Sequence, residues 1–403
     1  MITLPSQATL ADLEKFMRAV RQSPSQDLKL PIQVGRGGSF GFPAVAVQAI
    51  ATWARLHEGS RQLQLNPSFH SEASTRERFA GGLMGMCALY FAHQVKSGST
   101  VLPRGKALES VAPRVVAMDQ YRYRDTQRGR AAALCCFEGA RLEFLRSLYA
   151  MPARGSAENT TVRSSSEFGE IFSDLIEATS AGSSKMLSPM QLEVVGSLVH
   201  QLFKNADVHT MTDSEGHLYD SGVRGLQLRE VVIADDAALN DYVAGDRAFL
   251  SYLTKLGNRQ QTRSKSADGG KRLDVSWKAT SFLEVTVFDT GPGLALRWLS
   301  QKGAGTRYAD VSRDDEFKAV LECFRLHATT HSAPNRGDGL AIALEAMREL
   351  RAFMFLRTGR LALYQDFTSK AHETFSPSPR YGGKGLLAEA AGASYSICFP
   401  VAR

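Results

Sequence analysis

The clearest pattern of apolar and polar positions lies in the second half of the chain. Between Pro189 and His209, the residues Leu192, Val195, Val199, Leu202 and Ala206 recur at spacings of three and four. That spacing predicts an amphipathic helix that buries one stripe. Gln201, Asn205 and His209 are four apart and stack along one flank of the helix, while His200, Lys204 and Asp207 fall off the stripe. Phe282–Phe288 alternates into a strand, with Phe282, Leu283, Val285 and Val287 apolar, and ends at Asp289. Further strands are expected at Ala352–Leu356, Arg360–Tyr364 and Ser394–Pro400, and further helices at Asp246–Leu256, Asp314–Leu326 and Leu340–Leu350.

The first part of the chain has a different rhythm. Pro31–Val34 predicts a short strand, Phe42–His57 a helix entered through Pro43, Gln62–Leu65 (QLQL) a strand and Thr75–Gln94 a long helix. Strand, helix, strand, helix implies parallel pairing with both faces covered. Asp125–Ala150 is expected to be helical, with Leu134, Phe137, Leu142, Phe144, Leu145 and Leu148 as its apolar set. Met151–Ser166 is small and polar and has the character of a linker. With 403 residues, more than one core is expected. The expected division is an α/β domain over residues 1–155, a linker over 156–166 and a second α/β domain over 167–403.

Composition narrows the class. Hydrophobic content of 43% and charged content of 22% are those of a globular protein. The most apolar stretch, Leu83–Val95, falls short of the roughly 18–20 residues a membrane span needs and contains Gly85 and His93. The N-terminus has no basic segment followed by an apolar core, so a cytoplasmic location is expected. The five cysteines are odd in number and form no C-x-x-C, which argues for reduced thiols and against zinc. A net charge of +7 permits an anionic partner without requiring one.

Three segments carry candidate chemistry: Leu198–Thr210 (LVHQLFKNADVHT), Val287–Leu294 (VFDTGPGL) and Asn335–Leu340 (NRGDGL). In this order they resemble the N, G1 and G2 boxes of the GHKL (Bergerat-fold) ATP-binding superfamily of histidine kinases, anti-sigma-factor kinases, type II topoisomerases and MutL. The resemblance covers a little more than the C-terminal half. It implies a Bergerat-fold α/β sandwich, a mixed sheet covered by helices, that binds ATP with Mg²⁺. Asn205 would ligate the Mg²⁺, an ion that favours oxygen donors and keeps several waters. Asp289 would accept the adenine amine, and its acceptor-only carboxylate suits that group. Gly291 and Gly293 would let the backbone turn against the base. Gly337 and Gly339 would open backbone N–H groups toward phosphate at a helix start, with Arg336 adding charge. Residues from Ala295 to Pro334 correspond to the ATP lid, which closes on a segment containing Thr330. Within it, Lys302 and Arg307 are either phosphate contacts or solvated charges.

Two positions depart from the family pattern. Gln201 stands where hydrolysing members carry a glutamate base; an amide can orient water but cannot take its proton. Fast hydrolysis is therefore not expected, and His200 and His209 are the alternative bases. In the last strand Ala393 replaces a threonine that assists the adenine contact, so Ser394 or a water would substitute.

The segment SFGFPAVAVQAIATWARLHEGSRQLQLNP is similar to STAS-type domains, small regulatory folds that accompany GHKL kinases. The stretch 211–280 is longer than a compact GHKL domain needs and implies an insertion. Its segment Asn258–Arg272 is basic but has no interleaved aromatic residue, so a solvated loop is preferred to a nucleic-acid contact. The resulting expectation is a bacterial-type regulatory protein in which ATP with Mg²⁺ orders a lid and controls contacts with a protein partner, a second copy or the other domain. Slow ATP hydrolysis or protein phosphotransfer is compatible with it. Two alternatives stand beside it. One is a DNA-associated clamp ATPase, disfavoured because no transducer domain follows the final strand. The other is an adaptor with a vestigial ATP site.

Overall fold

Seven strands form the larger sheet of the computed structural model, and their order shows how the chain is put together. The structure describes residues 1–34, 38–150, 160–179, 186–257, 259–265, 271–277, 280–325, 338–368, 374–381 and 387–401. In chain order the first part contains β1 (Ile2–Thr3), α1 (Leu10–Gln22), β2 (Leu28–Lys29), α2 (Phe42–Leu56), β3 (Gln62–Leu65), α3 (Ser68–Ser71), α4 (Ala73–Ala80) and α5 (Leu83–Phe91). It continues with β4 (Gln94–Ser97), β5 (Thr100–Pro103), α6 (Arg104–Leu108), α7 (Ala112–Asp119) and α8 (Tyr123–Thr126). Strands β1 to β4 are parallel neighbours and β5 returns antiparallel, giving a five-stranded sheet in sequence order.

The second part holds β6 (Ala131–Phe137), β7 (Tyr149–Ala150), β8 (Thr161–Val162), α9 (Ser165–Thr179), α10 (Pro189–His209), β9 (Val223–Ile233), α11 (Asp236–Val243) and α12 (Arg247–Leu256). It goes on through β10 (Arg259–Lys265), β11 (Lys271–Trp277), β12 (Thr280–Asp289), α13 (Leu294–Gln301), α14 (Arg313–Cys323) and α15 (Gly339–Glu349). It ends with β13 (Phe353–Gly359), β14 (Leu361–Asp366), β15 (Ser378–Pro379) and β16 (Ala390–Pro400). The larger sheet runs β15-β14-β13-β16-β12-β9-β6, and all of its pairings are antiparallel. The chain is thus a mixed α/β protein. Among the described residues no helix is long and apolar enough to cross a membrane. All five cysteines are free.

Four expectations are corrected. Residues 131–137 form an edge strand of the larger sheet rather than part of a helix, because AAALCCF pairs along its length with β9 and is buried on both faces. The larger sheet thus draws a strand from the segment assigned by sequence to the first domain. The long helix expected over 75–94 is broken at Gly81-Gly82 into α4 and α5, and Gln94 begins β4. The first-sheet strand lies at Leu28–Lys29, not at Pro31–Val34, where Pro31 would have no N–H for the ladder. Within Asn258–Arg272, expected as a loop, Arg259–Lys265 forms β10 and Lys271–Arg272 begins β11, the two strands pairing antiparallel with Arg259 opposite Trp277.

Helix α2 explains how the two sheets are joined. It links the parallel strands β2 and β3 of the smaller sheet, and it packs on β16 and β12 of the larger one. It is therefore buried without a break from Ala44 to Ala54, as the nearly all-apolar FPAVAVQAIATWA requires. Its polar residues are spent on the neighbouring sheet. Gln48, with no exposed surface, donates to the carbonyls of Arg357 (3.0 Å) and Ala391 (3.1 Å) and accepts from Ser394 Oγ at 2.9 Å. The buried Glu284 carboxylate of β12 accepts from Gly41 N (3.0 Å), Tyr242 Oη (2.9 Å) and the Arg229 guanidinium. Arg357 of β13 makes a bidentate pair with Glu14 of α1, at 2.7 and 3.0 Å. Buried charges persist only when paired in this way.

Candidate functional site

On the opposite face of the larger sheet lies α10. Ser188 caps it, and Ser188 and Gln191 form a reciprocal capping box. The stripe predicted by periodicity is buried at Val195, Val199, Leu202 and Ala206, widened by Leu198 and Phe203 because α9 and α15 flank the helix. Gln201, Asn205 and His209 remain half-buried along one flank.

That flank meets the other candidate residues. Asn205 Nδ2 donates to Tyr395 Oη of β16 at 3.5 Å, and Tyr395 pairs across the ladder with Val287, two residues before Asp289. Asp289, at the end of β12, is 3% exposed. Its Oδ1 accepts from Gly291 N at 2.7 Å. Burial pushes its carboxyl up to about 6, against the opposing pull of the Gly291 N–H and the nearby Arg55. Gly291 lies so close under the end of α10 that a Cβ there would collide with the His209 carbonyl. Gly293 has φ +89°, and a Cβ would sit 2.8 Å from Tyr308 Oη. At the start of α15, a Cβ on Gly339 would sit 3.0 Å from Gln201 Oε1, which puts Gln201 directly against that helix start.

The structure therefore brings Gln201, Asn205, Asp289, Gly291, Gly293 and Gly339 to one end of the larger sheet. Thr330, Arg336 and Gly337 lie outside the described residues. Ser394 is a correction. Its hydroxyl faces α2 and bonds Gln48, on the sheet face opposite Asn205. Strand alternation leaves no other choice, since neighbouring Tyr395 faces α10. The residue on the α10 face is Ala393, fully buried. His200 also turns away, its ring edge-on to Phe168 of α9. Lys302 lies over the Trp298 ring, 4.0 Å from its centroid.

Three side chains escaped the sequence reading. Arg55, near the end of α2, reaches across to donate to the Gly291 carbonyl at 2.8 Å, with its guanidinium 3.6 Å above the Tyr219 ring. Its Nε and Nη2 are buried without a hydrogen-bond partner, and burial lowers its pKa. Arg297 of α13 donates to Thr212 O and Oγ1, at 3.0 and 2.6 Å, and its charge, like that of Arg55, favours the ionised Asp289 carboxyl. Tyr219 lies in a stretch whose only local signal is one aromatic among polar residues. None of the three is marked by spacing, because each acts across more than fifty residues of chain.

Compared with known proteins, the chain matches no family model, no curated protein and no solved structure.

Proposed function

We propose that the chain is a cytosolic regulatory protein that binds ATP with Mg²⁺ between the Asn205 flank of α10, the Asp289 loop and the start of α15, as the resemblance to GHKL proteins implies. The observation that carries the reading is the meeting of Asn205, Asp289, Gly291 and Gly339 at one end of the sheet, although they stand up to 134 positions apart in the sequence. The residues fit the ligand. Asn205 spends its amide nitrogen on Tyr395, which leaves the carbonyl Oδ1 for a cation that favours oxygen. Asp289 has taken a hydrogen bond from Gly291 and keeps acceptor capacity for an amino group. The first turn of α15 offers N–H groups and the positive end of a helix dipole to phosphate, with no side chain capping it. Bound Mg²⁺ would neutralise phosphate charge. The protein side supplies position, and Gln201 supplies no base. Binding with slow turnover follows, and Arg55 gives the first part of the chain a direct bond to the nucleotide loop.

The test is equilibrium binding of ATP, ADP and GTP with and without Mg²⁺, followed by turnover on the same sample. ATP should bind better than GTP, and Asn205→Ala should remove the Mg²⁺ dependence while sparing adenosine recognition. Gln201→Glu should raise turnover, toward the ~10²–10⁴-fold that a general base contributes. No preference for adenine, or the same Mg²⁺ dependence in Asn205→Ala, would overturn the reading.

A further inference from the structure

A second concavity lies far from α10, where the smaller sheet's helices meet β9, α11 and the approach to β6. It is a cleft of about 940 Å³, close to the upper end of the roughly 300–1,000 Å³ of small-molecule sites. Val34, Phe42, Phe79, Met84 and Val231 give it an apolar lining.

Its charged groups are mostly positive. Four arginines line it, Arg78, Arg128, Arg130 and Arg229, against two acids, Glu230 and Asp241. Arg229 is committed to Glu284, and Arg130 holds Glu230 at 2.9 Å. Arg78 and Arg128 make no ion pair among the described residues. Two helices also begin at the cleft: Phe42 and Pro43 open α2, and Leu83, Met84 and Gly85 open α5. Neither start is capped by a side chain. An uncapped first turn presents N–H groups and positive potential; here the N–H groups are those of α5, since at the start of α2 Pro43 has none and Phe42 N donates to the Ser39 carbonyl. A separate observation points to a missing acceptor. Ser39, which lines the cleft and is 5% exposed, has a hydroxyl with no hydrogen-bond partner, and the Nη2 of Arg128 is buried in the same condition. Buried donors left unmade are costly, so natural structures seldom keep them.

We infer that this cleft binds a small organic anion, a carboxylate, sulfonate or phosphate on an apolar body, with Arg78, Arg128 and Ser39 around the charged group and the apolar lining around the rest. The site touches the larger sheet at β9 and β6 and the helices of the first part, and it shares no lining residue with the α10 end, so it stands whether or not ATP binds there.

The probe is 8-anilinonaphthalene-1-sulfonate, titrated by fluorescence into the full chain. One saturable site is expected. The double variant Arg78→Gln/Arg128→Gln should weaken it by roughly tenfold or more, as loss of charged hydrogen bonds implies, while Lys15→Gln should leave it unchanged. Decanoate should displace the probe and 1-decanol should not, a comparison that needs no variant to fold. ATP with Mg²⁺ should not displace it, and Asp289→Asn should retain it. Unchanged affinity in the double variant, equal displacement by decanol, or displacement by ATP would overturn the inference.

Discussion

The two faces of the larger sheet are covered by opposite strategies. On one face α1 and α2 are fastened by directional polar bonds: Glu14 to Arg357, Gln48 to two carbonyls and a serine, and Gly41 to Glu284. On the other, α10 lies on an apolar stripe and keeps its polar flank of Gln201, Asn205 and His209 half-buried. Polar bonds fix one register and leave nothing to spare, whereas an apolar stripe holds a helix without committing its polar flank to that task. The first face is thus the fastening, and in the reading proposed above the second is the working surface. Arg55 runs from the first face to the loop of the second.

Breaking the fastening should have the largest effect. Glu284→Ala strands the Arg229 guanidinium and the Tyr242 hydroxyl in the interior, and loss of one partner of a buried pair costs about 3–5 kcal/mol. Urea unfolding should show that loss; a change within about 0.5 kcal/mol would mean that α2 is held by packing alone.

Asp289→Asn should separate function from stability. The carboxyl is raised from 3.8 to about 6, so between those values the folded state holds more protons than the unfolded one. Stability should therefore fall as pH rises through that window and level off above it. The asparagine variant should lack that slope and at pH 7.5 gain up to about 3 kcal/mol. Its ATP affinity should drop about tenfold to a hundredfold, the worth of a charged hydrogen bond. Wild-type affinity for ATP should likewise weaken as pH falls below 6. Melting curves and titrations across pH 4–8 check both; unchanged affinity in a folded variant would remove Asp289 from the site.

Ser394→Ala is the smallest change and the sharpest for the comparison. It removes one bond to Gln48, worth about 1 kcal/mol, and should leave nucleotide affinity untouched because the hydroxyl faces α2. Weaker ATP binding without loss of stability would return Ser394 to the nucleotide side.

These contrasts also show what could be read in advance. Helix α10 was legible because it buries one face, which leaves a strict period, and strand β12 because Glu284 and Thr286 alternate with its apolar residues although both are buried. Strand β6 was misread as helix because AAALCCF is buried on both faces and so has no alternation, and alanine favours helix when nothing else decides. The break at Gly81-Gly82 was written in the sequence and passed over. The direction of Ser394 followed from the pleat once Tyr395 was set toward α10. Arg55 and the cleft around Ser39 had no local signal, since both arise only where distant segments meet.

Strand β6 has a consequence in time as well as in space. During synthesis Phe137 leaves the ribosome before its ladder partner Val223 exists, and at about 5–20 residues per second the wait is roughly 4–17 s. For that interval a seven-residue apolar strand has no sheet to join, and an unpaired strand edge is a template for other chains. The smaller sheet can close as it emerges, since all five of its strands precede β6; β6 itself is held open until β9 arrives.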